Sequence, residues 1–303
     1  MPTFEFVTAD VFTSKRFGGN QLAVFPNAEH LPPELMLQIT REFNFSETTF
    51  VLPPGDPGHT RRVRIFTPGR ELPFAGHPTV GTAHVLAATG RIKLTGPETR
   101  IVLEEGVGPV PVTIRAQDGA PTFAQLSVAQ LPRYGPQPPG ASDLARCLGL
   151  QPSDILTDGL APEPVSCGLL FLFVPVRDRA TLARIRPRID EFERVLGSFA
   201  TAEVFAFCDE PELVGSNYRA RMFAPTLGVL EDPATGSACA GFGGYLAKRD
   251  PRAEGTLRWV VEQGFEMGRP SILEIEVDKR GGAITAVRVG GSSVIVTTGE
   301  LHL

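Results

Sequence analysis

The sequence predicts an α+β protein made of two similar halves, each rich in short strands and each holding one buried helix. Three observations lead there. The 303 residues include 32 glycines and 28 prolines, about a fifth of the chain against roughly 12% in ordinary usage. An interior glycine costs a helix ~1 kcal/mol and a proline ~3 kcal/mol, so long helices and coiled coils are disfavoured and strands joined by turns are favoured. Several segments recur at a nearly constant offset of 155 to 157 residues. Two further segments, one in each half, are small or apolar nearly all round, as expected of helices enclosed by other structure.

The elements follow in order. Phe4, Phe6 and VFTSKRFGG lead through Gly18-Gly19-Asn20 into QLAVFP, which reads as a hairpin. LPPELMLQITREFNF has Pro32-Pro33 at its start and Leu35, Ile39 and Phe43 on one face, an amphipathic helix. SETTFVLPP is a strand stopped by Pro53-Pro54, and TRRVRIFTP alternates Val63 and Ile65 with Arg62 and Arg64, a half-buried strand. PFAGHPTVGTAHVLAATG is the first small-residue helix, with Pro78 in its first turn and Gly90 past its end. Strands follow around TRIVLEEGVGPVPVTIRA and TFAQLSVA, and RYGPQPPGASD reads as a linker. In the second half SDLARCLGL is a short helix, GLLFLFVPV a buried strand, and TLARIRPRIDEFERVLGSF a helical region broken at Pro187. TAEVFAFCD and YRARMFAP are strands, EDPATGSACAGFGGYLAKR is the second small-residue helix, entered through Pro233, and the C-terminus is strand after strand.

The repeat pairs Arg64–Pro68 (RIFTP) with Arg221–Pro225 (RMFAP), His77–Ala83 (HPTVGTA) with Asp232–Ala238 (DPATGSA), and Glu47 with Glu203. The shared positions include polar ones, which packing alone does not require. Helix N-termini offer unpaired N–H groups and a positive dipole end. If the halves face each other, both helix starts can converge on one small anion.

Composition excludes several classes. The net charge of −5 leaves no basic face for nucleic acid. The opening MPTFEFVTAD has neither a basic nor an apolar leader region, and the longest apolar run, Gly168 to Val176, is far short of the ~20 residues a membrane span needs. Collagen is excluded by the lack of a G-X-Y period, and disorder by a 42% hydrophobic content. Cys147, Cys167, Cys208 and Cys239 form no metal pattern, so four free thiols in a reducing, cytoplasmic setting are expected. P-loop, Rossmann, HExxH and GxSxG motifs are absent. No cofactor and no metal are expected.

Candidate chemistry concentrates near the repeat. Glu47 stands among Phe45, Thr48, Thr49 and Phe50, and partial burial would raise its pKa toward that of a general base. Glu203 qualifies by the repeat, and the residues alone do not separate the two. His77 before Pro78 is either a helix-start structural residue or a proton carrier. Asp232 before Pro233 equally fits a helix cap. Thr82 and Ser237 could bond back within their helices. His84 reads as a packed core histidine, and Cys239 as small buried filler.

DVFTSKRFGGNQLAVF, REFNFSETTFV, RIFTPGRELPFAGHPTVGTA and RMFAPTLGVLEDPATGSACAG resemble the PhzF family of phenazine-biosynthesis-like proteins, in order and over essentially the whole chain. The resemblance implies the diaminopimelate-epimerase-like fold: two pseudo-symmetric lobes, each a curled sheet around a central helix, with the active site in the cleft. The lobes are expected at residues 1–118, joined by the C-terminal strand at about 290–303, and at 119–289. Racemases and epimerases of this superfamily use one cysteine per lobe, and the motifs here lack that pair. This disfavours the alternative of an amino-acid racemase; a non-catalytic carboxylate-binding protein is the other alternative.

The family resemblance implies a cofactor-independent isomerase, similar to trans-2,3-dihydro-3-hydroxyanthranilate isomerase, that moves a proton on a small carboxylic acid. The glutamate of the N-x-S-E motif, Glu47 in Asn44-Phe45-Ser46-Glu47, would shuttle the proton. His77 and Asp232 would complete the catalytic set, with Gly76, Thr235, Gly236 and Ser237 binding substrate. A homodimer is implied, with neither nucleic acid nor membrane as partner.

Overall fold

The computed structural model describes residues 2–303, apart from the side chain of Leu227. The chain divides into two units, residues 1–129 with 289–303, and residues 130–288. The stretch 119–129, expected in the second lobe, falls in the first, because its strand is paired and packed there. The stretch read as a linker lies inside the second unit: Arg133–Tyr134 pair with Val165–Ser166, and a helix begins at Ala141. Proline and glycine there serve packing, with Gly135 donating its N–H to Pro164 O.

In the first unit β1 (Thr3–Val11) and β2 (Asn20–Phe25) form the expected hairpin, closing at Val11↔Asn20. Helix α1 (Pro33–Phe43) turns Met36 and Ile39 inward and ends at Asn44, whose left-handed backbone (φ 52°) an asparagine tolerates. The chain then enters β3 (Glu47–Leu52), β4 (Arg61–Phe66) and β5 (Glu71–Leu72). Helix α2 (Gly76–Ala88) buries every residue but its last. Around it run β6 (Glu98–Glu105), β7 (Gly108–Gln117) and β8 (Ala120–Ser127). Gly81 is what lets α2 approach so closely: a Cβ there would lie 2.5 Å from Val11 Cγ2 and 2.6 Å from Leu22 Cδ2.

The second unit contains β9 (Arg133–Tyr134), α3 (Ala141–Leu148), β10 (Glu163–Ser166), β11 (Leu170–Pro175), α4 (Arg179–Arg184) and α5 (Ile189–Leu196). The helical region does break around Pro187. Next come β12 (Val204–Cys208), β13 (Tyr218–Ala224), β14 (Val229–Asp232) and the buried helix α6 (Gly236–Arg249). Strands β15 (Gly255–Gln263), β16 (Ser271–Arg280) and β17 (Ala283–Gly291) follow. The last strand, β18 (Ser293–His302), returns to the first unit and pairs antiparallel with β1.

The two units share one pairing plan. In the first, β1–β2 is antiparallel, β2–β3 parallel, β3–β4 antiparallel, β4–β6 parallel and β6–β7 antiparallel. In the second, β10–β11, β11–β12, β12–β13, β13–β15 and β15–β16 follow the same alternation. The repeat therefore extends to a segment the motif comparison passed over: Arg100–Gly106 (RIVLEEG) stands where Arg258–Gly264 (RWVVEQG) stands.

The structure also corrects the register around the buried helices. The match of His77-Pro78 with Asp232-Pro233 is not structural. Both helices begin on a glycine that follows a short strand, so ELPFAG (Glu71–Gly76) corresponds to EDPATG (Glu231–Gly236). The ion pairs agree: Arg64 holds Glu71, and Arg221 holds Glu231. So do the close glycines, since Gly106 lies against Pro73 and Gly264 against Pro233. His77 is thus the counterpart of Ser237, and Asp232 ends β14, four residues ahead of its helix.

A Cβ on Gly264, at φ +77°, would lie 2.5 Å from both Pro233 O and Arg269 O. Backbone atoms cannot retreat as a side-chain tip can. Gly264→Ala is expected to cost about 2 kcal/mol, read as a lower midpoint in urea. An unchanged midpoint would remove the packing argument.

Candidate active site

The sites are built one unit at a time. In the first, Asn44 ends α1 and redirects the chain so that Glu47 opens β3 beside Leu22 of the parallel β2. The loop between β1 and β2 is pinned by Asp10, whose Oδ2 accepts the Phe17 N–H at 2.7 Å, and it delivers Asn20 to the start of β2. Asn20 is buried, with its amide nitrogen 3.3 Å from His77 Nδ1. On the other side of the ring, His77 Nε2 lies 3.4 Å from Glu47 Oε2. That is longer than a mature hydrogen bond, the slack found in catalytic pairs before substrate tightens them. The side chains are 5% and 16% exposed, so the histidine is enclosed while the carboxylate keeps an opening.

Burial holds His77 neutral, pushing its pKa down to about 3 against the raising effect of a hydrogen bond to the Gln21 backbone. Nε2 is turned to Glu47 and makes no hydrogen bond among the described residues. The neutral ring stands beside the carboxylate without adding a positive charge. Gly76 immediately precedes it as the first residue of α2.

In the second unit Asp232 is buried and its Oδ2 accepts the Thr235 hydroxyl at 2.5 Å. Gln263, fully buried at the end of β15, completes the arrangement. Its Oε1 accepts the Thr235 N–H at 3.0 Å, and its Nε2 donates to Asp232 O at 2.8 Å and to Thr235 Oγ1 at 2.9 Å. Gly236 and Ser237 open α6 directly afterwards, and Ser237 is only partly buried. Neither α2 nor α6 has a side-chain cap, so their first N–H groups are left for another acceptor.

The structure therefore joins Glu47, His77 and Gly76 in one unit and Asp232, Thr235, Gly236 and Ser237 in the other. Glu203 occupies the Glu47 position of the second repeat but is turned to its own loop, accepting from the Thr201 hydroxyl and the Ala202 N–H. The counterpart of His77 in that unit is Ser237, a serine rather than a histidine. Thr82 does not bond back within its helix; its hydroxyl meets Thr49 of β3 at 2.8 Å. His84 is buried with its pKa lowered to about 4, and Cys239 is fully buried with its pKa pushed up, both by burial. Among the described residues, no three His, Cys, Asp or Glu side chains are gathered as for a metal. None of the described helices is long and apolar enough to cross a membrane. A cavity of about 330 Å³ lined by Pro26, Asn27, Val51, Pro53, Arg61 and Arg91 lies at the other end of β3 from Glu47 and holds none of these residues.

Two contributors escaped the motif reading: Asn20 and Gln263. Asn20 was legible as the end of the Gly-Gly-Asn turn, and Gln263 as a position of RWVVEQG, which repeats RIVLEEG.

Known proteins resemble the chain over essentially its whole length. The family model described as phenazine biosynthesis-like protein, PhzC-PhzF, matches residues 9–299. An uncharacterized isomerase of Mesorhizobium japonicum is 38% identical, covering 100% of both chains. The trans-2,3-dihydro-3-hydroxyanthranilate isomerase of Pseudomonas aeruginosa is 35% identical, covering 98% of this chain and 99% of that one. A solved PhzF-family phenazine biosynthesis protein of Bacillus anthracis superposes with a TM-score of 0.89 at 27% identity, covering 100% of each chain. A hydroxyproline epimerase of Agrobacterium vitis shares the fold alone, with a TM-score of 0.64 at 13% identity, 99% of this chain and 92% of that one. The fold is thus the diaminopimelate-epimerase-like one shared with proline racemase-type enzymes, and the chain belongs to the PhzC-PhzF family of isomerases.

Proposed function

We propose that the protein moves a proton between two carbons of a small unsaturated carboxylic acid without a cofactor, in the manner of trans-2,3-dihydro-3-hydroxyanthranilate isomerisation. The observation that carries this reading is the Glu47–His77 pair: a partly accessible carboxylate 3.4 Å from a buried, neutral histidine. The Glu47 carboxylate takes a proton from a C–H bond, and the freed electron pair enters the neighbouring π system as the double bond shifts. The same carboxyl then returns the proton at a second carbon. His77, 3.4 Å from Glu47 Oε2, keeps the carboxylate oriented throughout. We assign substrate contacts to Gly76 at the helix start of the first unit, and to Asp232, Thr235, Gly236 and Ser237 in the second.

A thiol mechanism finds no support, because all four cysteines are buried, with raised pKa values at each. We extend the reading to a homodimer in a reducing cytoplasm, where such thiols persist. The test is incubation with trans-2,3-dihydro-3-hydroxyanthranilate in D₂O, following the double-bond shift by absorbance and carbon-bound deuterium by NMR. Double-bond shift with deuterium gain at the reprotonated carbon is expected. Absence of both, with this acid and with other small unsaturated carboxylates, would sink the isomerase reading in favour of a binding protein.

A further inference from the structure

Glu105 ends β6 and is buried beneath the first turn of α2. Its Oε1 lies 2.6 Å from Thr79 Oγ1, and that same hydroxyl oxygen lies 2.7 Å from Ala75 O one helical turn back. Each short O···O contact needs a proton, and a threonine hydroxyl supplies only one. The helix carbonyl can only accept, so the hydroxyl proton goes to Ala75 O and the second proton comes from the carboxyl. Glu105 Oε2 is buried with no hydrogen-bond partner among the described residues. An ionised group so placed would be an uncompensated buried charge.

The second unit reports the same need in different chemistry. The counterpart of Glu105 is Gln263, a neutral group with one donor and one acceptor function directed at the start of α6. A protonated carboxyl has that same pair of functions.

We propose that Glu105 is a neutral carboxylic acid whose O–H donates to Thr79 Oγ1 and so positions the first turn of α2, with Gly76 and His77. The positioning half rests on the function proposed above; the location of the proton does not. The surroundings are consistent. Glu104 on the same strand is turned away, accepting from the Gly55 and Asp56 N–H groups and His59. Strand β4 carries Arg61, Arg62 and Arg64, α2 carries His77 and His84, Arg70 and, in β5, Glu71 precede α2, and β7 has only Arg115, at its far end opposite Glu98. None of these pairs with Glu105. Burial raises its pKa to about 8 against the lowering effect of the Thr79 bond. A raised carboxyl pKa contributes stability that is complete below about 4.5 and lost as pH rises through about 8. Ionisation would also draw the Thr79 proton off Ala75 O.

Infrared spectra of the wild type at pH 6 and of Glu105→Gln give the direct test. The wild type is expected to show the C=O stretch of a buried protonated carboxyl, absent from the variant and lost from the wild type at pH 9.5. No such band at pH 6 overturns the proposal, and because this reading needs no substrate it is separate from any failure of the isomerase assignment. In the deuterium assay Glu105→Ala is expected to lose about 10- to 100-fold. Glu105→Gln should restore most of that and remove the alkaline fall centred near pH 8. Full activity in the alanine variant, or the same alkaline fall in both wild type and the Gln variant, overturns the positioning role.

Discussion

Glu47→Gln is expected to lower turnover by about 10³-fold or more while leaving the fold and the Michaelis constant nearly unchanged. The substitution replaces one carboxylate oxygen by an amide nitrogen and keeps the shape of the side chain. The amide keeps a polar atom beside His77 Nε2, so the partner on α2 is not orphaned, and the backbone pairing of Glu47 with Leu22 does not involve the carboxylate. What disappears is the capacity to take a proton from carbon and give it back. Deuterium incorporation and the double-bond shift should therefore fail together. Glu203→Gln is the control, because Glu203 only accepts bonds from its own turn at Thr201 and Ala202. It should retain activity near wild type. Turnover within tenfold of wild type in Glu47→Gln would remove this carboxylate from the chemistry, whatever the family pattern implies.

The twofold architecture was legible in the sequence because it is written in residue types with strict physical duties. Proline at a helix approach, glycine where a helix meets a sheet and an arginine at the same place in a strand all recur. The register of the repeat was less legible. His77-Pro78 and Asp232-Pro233 look alike as letters, but the lengths between strand and helix differ in the two halves. Only the Arg64–Glu71 and Arg221–Glu231 pairs and the glycines packed on Pro73 and Pro233 show which residues correspond. Once aligned, the two helix starts are not copies: a histidine stands in one where a serine stands in the other. That asymmetry, invisible in the letter match, separates Glu47 from Glu203. Glu105 was hidden for a different reason. Two adjacent glutamates at a strand end read as solvated, whereas alternation along the strand sends Glu104 outward and Glu105 inward.

His77→Ala is expected to reduce turnover by about 10²-fold, more through loss of Glu47 orientation than through loss of a proton donor. The ring bridges Asn20 and Glu47, so removing it unties β2 and β3 from the start of α2 together. The pH profile distinguishes this role from acid–base exchange by the ring itself. With its pKa lowered to about 3, His77 remains neutral throughout the range in which the enzyme can be assayed, and activity should show no limb near the ordinary histidine value of 6.5. A limb near 6.5 that vanishes in His77→Gln would mean that the ring does titrate in catalysis. Stability has the opposite sign from the Glu105 case. A histidine buried as the neutral base binds its proton more readily in the unfolded chain, so its contribution is complete above about 6.5 and is lost as pH falls toward 3. His84, lowered to about 4, adds a contribution of the same sign over most of that window. Between about pH 6 and 4.5 the folding equilibrium of the wild type should fall by a factor of about 10 more per pH unit than that of His77→Gln, since His84 and Glu105 act alike in both proteins. Denaturant titrations across this range measure both slopes, and identical slopes in the two proteins would show that His77 is not held neutral by the fold.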